Sequence, residues 1–234
     1  MTQESIQAEL TLVWEEFKGR FNNKHLNDVL ERKFAFSIPE QSEILITGIN
    51  PSYQLHDDRL LRYKYSDIKH RYFTILRKII PTAINGASIK ASYLDLFYYR
   101  NTEQAVLNDF NKEQQLGVEF LSKQLNVTQK IIEWIAPQVI LVMNKGSWKF
   151  WGKEPKHTWM GYEVRVINDS LEFGELYEIV GLQNNVDRVT PELTQTSLIG
   201  TRVYFSKYLK RVSNANLELI KAEIHSAISE IKFL

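Results

Sequence analysis

The residues best placed to do chemistry in this chain stand in a short turn. Gly48-Ile49-Asn50-Pro51-Ser52 follows the apolar run Ile44-Leu45-Ile46. Glycine permits a close backbone approach and proline fixes its own φ, so the carboxamide of Asn50 is held rigidly between them. Such an amide can orient a water or read a polar edge. The same turn can also serve as an ordinary strand end in which Asn50 caps backbone groups. Three further polar sets leave apolar runs: Asp95 to Arg100, Asn144 to Ser147, and Gln183 to Asn185. Other chemistries lack their residues. The chain has no cysteine, which excludes disulfides, thiolate metal sites and a cysteine nucleophile. His25, His56, His70, His157 and His225 show no metal-ligand spacing, so no bound metal is expected. No Gly-x-Gly-x-x-Gly, Gly-Lys-Ser/Thr or Gly-x-Ser-x-Gly occurs, so dinucleotide, P-loop and nucleophile-elbow readings fail.

Positioning these groups requires a scaffold, and the apolar pattern outlines one. Helical spacing recurs over residues 3–35, 67–80, 103–136, 201–211 and 214–232. Short apolar runs bounded by proline or glycine read as buried strands at 44–48, 89–97, 139–143, 164–167 and 177–182. Residues 184–195 read as a polar loop. Buried strands alternating with helices imply α/β architecture. The expectation is a three-layer α/β/α sandwich around a central, mostly parallel sheet of four or five strands. One domain is expected over 1–234, with an N-terminal helical region at 1–38 and a C-terminal helix at 214–232. In such sheets, sites form beyond the carboxyl ends of the strands, where the four polar sets are expected to stand.

The chain carries 29 Lys+Arg against 28 Asp+Glu, a net charge of +1 over 234 residues. That near-neutral total hides an uneven distribution. Windows 57–80, 141–160 and 200–211 carry +4, +3 and +4, which leaves −10 for the remainder. The first two are also aromatic, with Tyr63, Tyr65, Tyr72 and Phe73 in one and Trp148, Phe150, Trp151 and Trp159 in the other. Interleaved cations and rings suit a polyanion with stackable bases, although each window alone also fits an amphipathic element with a cationic outer face. No apolar run is long enough to span a membrane, and MTQESIQAEL does not read as a signal peptide. A cytoplasmic, monomeric protein is expected.

Ile44–Ser52, ILITGINPS, resembles the first motif of the uracil-DNA glycosylase superfamily, in its Gly-x-Asn-Pro branches of mismatch-specific and single-strand-selective enzymes. The order of later segments agrees. Ser92–Phe97 falls where the family has its second strand. Ile131–Met143 is similar to its helix, proline and third strand, and Gly200–Leu209 to the segment after its second motif. The resemblance covers roughly residues 40–212.

The resemblance implies a fold and a set of roles. Asn50 takes the place of the asparagine that positions the attacking water. Gly48, Ile49, Pro51 and Ser52 shape the pocket, Asp95 reads the base edge, and Tyr72 or Phe73 stacks on the base, with Asn144 beside it. Gln183 and Asn184 stand where the family carries a histidine that stabilises the departing base. The loop 184–198 approaches the minor groove. Lys145, Ser147, Lys149, Arg188, Thr201, Arg202 and Lys207 face the nucleic acid. The implied reaction hydrolyses the N-glycosidic bond of a damaged or deaminated base flipped from DNA. It needs no cofactor, because positioned water and polar groups stabilise the developing charges. Two departures matter. The histidine is missing, and an ionised Asp95 accepts hydrogen bonds but donates none, so it suits a cytosine or adenine edge better than the O4 of uracil. Two alternatives remain open: a glycosylase fold that binds nucleic acid or a nucleobase without cleaving it, and a structural or protein-interaction domain that keeps only the fold.

Overall fold

The computed structural model describes residues 1–53, 61–84, 86–154, 158–207 and 214–229. In chain order the helices are α1 (Gln3–Phe17), α2 (Lys24–Glu31), α3 (Arg71–Ile79), α4 (Val106–Lys112), α5 (Gln114–Ile135), α6 (Trp148–Trp151) and α7 (Asn214–Ser229). The strands are β1 (Phe36–Ser37), β2 (Ile44–Gly48), β3 (Arg62–Tyr63), β4 (Ala83–Ile84), β5 (Ala87–Ser88), β6 (Ala91–Asp95), β7 (Val139–Val142), β8 (Tyr162–Asn168), β9 (Gly174–Leu182) and β10 (Arg202–Ser206).

The main sheet has six strands in the order β6-β2-β7-β10-β9-β8. The first four are mutually parallel, and β9 and β8 follow as an antiparallel hairpin. β2 and β7 are buried along their whole length, which is why they read as continuous apolar runs rather than alternating ones. Alternate residues face opposite layers. Leu45, Leu94, Ile140, Val142, Val203 and Phe205 pack against α1, α2, α4, α5 and α6. Ile44, Ile46, Tyr93, Leu141 and Tyr204 pack against α3 and α7. α5 stops at Ala136, which takes a left-handed φ of 50° just before Pro137, and β7 begins at once. The C-terminal helix runs to Ser229, and its expected last turn to 232 lies outside the described residues.

Three expectations are corrected. The sheet has six strands, because Tyr162–Asn168 and Gly174–Leu182 form a hairpin appended to its edge. Residues 202–206, expected to be helical, form β10, which inserts between β7 and β9. There, ladder partners on both sides and two covered faces outweigh a weak helical spacing. The run 177–182 is a strand, but β9 runs antiparallel to β10. Its end therefore points away from the edge at which β2, β6, β7 and β10 finish.

Candidate functional site

The four parallel strands define a carboxyl edge, where Gly48, Asp95, Val142 and Ser206 end, and an amino edge opposite it. At the carboxyl edge the backbone beyond β2 runs beside the backbone beyond β6. Leu96 N donates to Gly48 O at 3.2 Å, Phe97 N to Ile49 O at 2.8 Å and Asn101 N to Pro51 O at 3.0 Å. This lateral pairing fixes Asn50. Its Nδ2 donates to Asn101 O at 2.6 Å and to Pro51 O at 3.1 Å. Both partners are carbonyl oxygens, which only accept, so the amide can face them only with its NH₂. The Oδ1 acceptor is thereby turned away, and among the described residues it has no hydrogen-bond partner.

Asn101, whose carbonyl holds Asn50, is itself held by two further contacts. Asn101 Oδ1 accepts from Arg32 Nη1 at 2.5 Å and its Nδ2 donates to Glu103 O at 2.7 Å. The guanidiniums of Arg32 and Arg100 lie 4.6 and 5.3 Å from the ring centre of Tyr53. Ile49 and Pro51 are buried, whereas Ser52 is exposed. Sequence reasoning missed Arg32, Tyr53 and Asn101. They lie far apart in the chain, and what brings them together is the pairing of two loops beside the C-terminal end of α2.

Asp95 lies on the α3 side of the sheet, 2% exposed. Tyr63 Oη donates to its Oδ2 at 2.5 Å and Tyr93 Oη to its Oδ1 at 2.8 Å. Gly48 makes room for this, since a Cβ there would lie 1.9 Å from Tyr93 Oη and 2.6 Å from Asp95 Oδ1. Burial raises the carboxyl pKa from 3.8 to about 6, against the lowering effect of the two tyrosine hydrogen bonds. Burial, and then the neighbouring carboxylate, push the Tyr63 and Tyr93 hydroxyls well above their ordinary value, so both remain protonated donors. Phe73 meets Tyr93 edge-on at 4.8 Å, Tyr72 does so at 6.5 Å, and Tyr65 stacks on it at 6.0 Å. Each of its oxygens accepts a tyrosine hydroxyl, and the group lies among packed rings, so this arrangement does not present the Asp95 carboxyl as an open edge for a base. Tyr72 and Phe73 are likewise engaged with Tyr93.

Asn144 and Ser147 form the turn beyond β7. Asn144 Oδ1 accepts from Gly146 N at 2.8 Å, and buried Ser147 donates to Asn144 O at 2.6 Å. Ser147 serves this turn and is not a surface contact. Lys145 and Lys149 lie 5.5 Å from the Trp148 ring and 5.0 Å from the Phe150 ring. Lys207 follows β10 and donates to Leu171 O at 2.6 Å.

The remaining expected site residues lie elsewhere. Gln183 and Asn184 follow β9 at the amino edge, where Gln183 N donates to Gly161 O at 2.9 Å. Arg188 is 5% exposed and donates to Met160 O and Leu193 O, so it pins the 184–198 loop from within. Thr201 donates to Pro137 O at 3.0 Å, and Arg202 begins β10. Glu133 ties the same loop down by accepting from Thr196 and Ser197. The structure thus brings Gly48–Ser52, Asp95, Asn144, Lys145 and Lys207 to one edge. It puts Gln183 and Asn184 at the other, because strand direction reverses between β10 and β9, and Thr201 and Arg202 there too, because β10 starts at that edge.

His70 caps α3, its Nδ1 accepting from Tyr72 N at 3.3 Å, while His56 and His157 lie outside the described residues. Among the described residues no cluster of His, Asp and Glu could hold a metal ion, and no helix is long and apolar enough to cross a membrane. No family model matches the chain, and neither a curated protein nor a solved structure is matched by it.

Proposed function

We propose that this chain is a DNA glycosylase-like protein with a uracil-DNA glycosylase-type three-layer sandwich. In this reading it holds an extruded base at the carboxyl edge, and Asn50 orients the water that attacks the sugar. The observation that carries the reading is the Asn50 carboxamide. Two backbone carbonyls hold its NH₂ group, which leaves Oδ1 to accept a hydrogen from water. The strand order β6-β2-β7-β10 supports the fold, with the Gly-x-Asn-Pro turn at the carboxyl end of its first strand.

Cleavage develops positive charge on the sugar and negative charge on the departing base. An oriented water answers the first. For the second, β10 is the fourth parallel strand, and in this reading Lys207, which follows it at the carboxyl edge, supplies the charge that Gln183 and Asn184, at the amino edge, do not. Both the sealing of Asp95 and the displacement of Gln183 and Asn184 favour a second reading, in which the protein binds a nucleobase or nucleic acid without cutting the glycosidic bond.

Oligonucleotides carrying uracil, hypoxanthine, xanthine or a G·T mismatch, incubated with the protein and then treated with hot alkali, separate the two. Strand breaks on one of them, reduced about 100-fold or more in Asn50→Ala with binding retained, support cleavage. Binding with no break on any substrate supports the second reading. Full activity in Asn50→Ala rejects the assignment of the motif.

A further inference from the structure

β8 is the last strand of the main sheet, and among the described residues nothing pairs with its outer edge. Exposed edges are commonly blunted by charged side chains, lysine above all, by proline or by a bulge. Tyr162-Glu163-Val164-Arg165-Val166-Ile167-Asn168 contains no lysine and no proline, and its two charges are opposite in sign, so they repel neither each other nor a matched copy of the strand. Its one bulged position is Ile167, since the register passes from Val166↔Tyr177 directly to Asn168↔Leu176. The other irregularity lies in β9, where Val180 is the extra residue. Tyr162 to Val166 therefore forms a regular stretch centred on Val164. Glu163 and Arg165 share one face, and both are exposed. Tyr162, Val164 and Val166 share the other, and Val166 is 50% exposed.

We infer that this edge pairs with the same edge of a second copy, antiparallel and in a register centred on Val164. The occupant follows from charge and pattern. A two-fold axis normal to the sheet keeps each residue on its own face, so only registers with matched parity are allowed. Centred on Val164, the pairing sets Glu163 against Arg165 of the second copy, and Arg165 against its Glu163. It also places half-exposed Val166 beside the second copy's Tyr162. Centred on Arg165 it opposes two arginines, and centred on Glu163 it opposes two glutamates, both unfavourable. The register with complementary charge is also the one that uses the whole regular stretch. Residues of this length bury less than the roughly 1,200 Å² of a stable specific interface, so the dimer is weak and forms as concentration rises. It replaces the expectation of a monomer, and it is independent of the nucleic-acid reading, because β8 lies at the far side of the sheet from β2.

The test uses charge reversal. The single chain is 27.5 kDa, and its weight-average mass by sedimentation equilibrium rises toward twice that value from micromolar to millimolar protein at low salt. Arg165 also pairs with Glu178 of its own chain at 2.6 Å, so Glu163→Lys is the cleaner reversal. Glu163→Lys and Arg165→Glu each convert two attractive contacts between copies into two repulsive ones, which weakens association about tenfold or more. Mixing the two variants restores it, since the substituted side chains of Glu163→Lys and Arg165→Glu then face each other with opposite charge while Arg165 of the one meets Glu163 of the other. Circular dichroism and melting temperature confirm that each variant is folded. A wild-type mass that stays at one chain, single reversals that leave association unchanged, or a mixture that does not associate would each overturn the inference.

Discussion

At the scale of the residue, Asp95 is the group whose surroundings most alter its chemistry. Its carboxyl is sealed between Tyr63 and Tyr93, and burial raises its pKa from 3.8 to about 6. The native state therefore holds the Asp95 proton to higher pH than the unfolded chain does. Stability depends on pH through the difference in protons bound by the unfolded and native states. Here the native state binds more between pH 4 and 6, so the contribution of Asp95 is fully present below about pH 4. It falls as pH rises through 6, by up to about 3 kcal/mol for a shift of this order. Asp95→Asn cannot ionise, and it keeps one acceptor for a tyrosine. Urea unfolding at a series of pH values should show wild type losing stability relative to Asp95→Asn between pH 4 and 7, with a constant difference above that. A difference that does not vary with pH would mean that Asp95 ionises as it does in the unfolded chain. The pair was partly legible in the sequence. Tyr93 and Asp95 are two apart on a strand and so share a face, but nothing local announces Tyr63, which arrives from a different strand.

At the scale of the element, Gly117 lets α5 approach the backbone of α4 closely. A Cβ on Gly117 would lie 1.8 Å from the carbonyl oxygen of Phe110. That oxygen belongs to the backbone and cannot rotate aside, so α5 must move outward and strip contacts from Phe110 and Phe120, whose rings lie 5.0 Å apart. Gly117→Ala should cost about 2–3 kcal/mol despite alanine's better helix propensity. That corresponds to a loss of roughly 4–12 °C in melting temperature, and a gain on heating would show that the helices can separate freely. The elements best legible in the sequence are those with a covalent signal at their ends. β2 ends at Gly48 and Pro51, β7 starts after Pro137, and α5 ends just before that proline. Residues 202–206 were misread because Val203-Tyr204-Phe205 is apolar under either periodicity, and only the gap between β7 and β9 decides it. The direction of β9 was recoverable. Only the five residues Asp169 to Phe173 connect β8 to β9, far fewer than the dozen or so a parallel crossover needs, so the pair must be antiparallel. Gln183 and Asn184 were placed on the wrong edge because strand propensity carries no direction.

At the scale of the whole molecule, the net charge of +1 still conceals an uneven surface, though the three basic windows do not gather at one edge. Lys145, Lys149 and Lys207 stand by the carboxyl edge with Asn50, while Arg202 opens β10 at the amino edge. Lys78 lies in the last turn of α3, which leads through the β4–β5 hairpin to the start of β6, also at the amino edge. Lys153 is neutralised in place by Glu175 at 2.7 Å, beside the Trp148 ring. Lys156, Lys210 and Arg211 lie outside the described residues. The two edges therefore make opposite predictions for any nucleic acid. If the ligand tracks the Asn50 edge, the double variant Lys145→Ala/Lys149→Ala binds a single- or double-stranded oligonucleotide more weakly. Its plot of log affinity against log salt also becomes shallower by about 1–2, because each lost phosphate contact removes about one released counterion. Arg202→Ala then binds with the wild-type slope. The reverse pattern would move the interface to the amino edge, beside the Arg188-pinned loop, and would separate nucleic-acid binding from Asn50 altogether. Titrations of the two variants over a salt series distinguish these outcomes even if no glycosidic bond is ever cut, because counterion release depends on where the phosphates lie and not on what happens to the base.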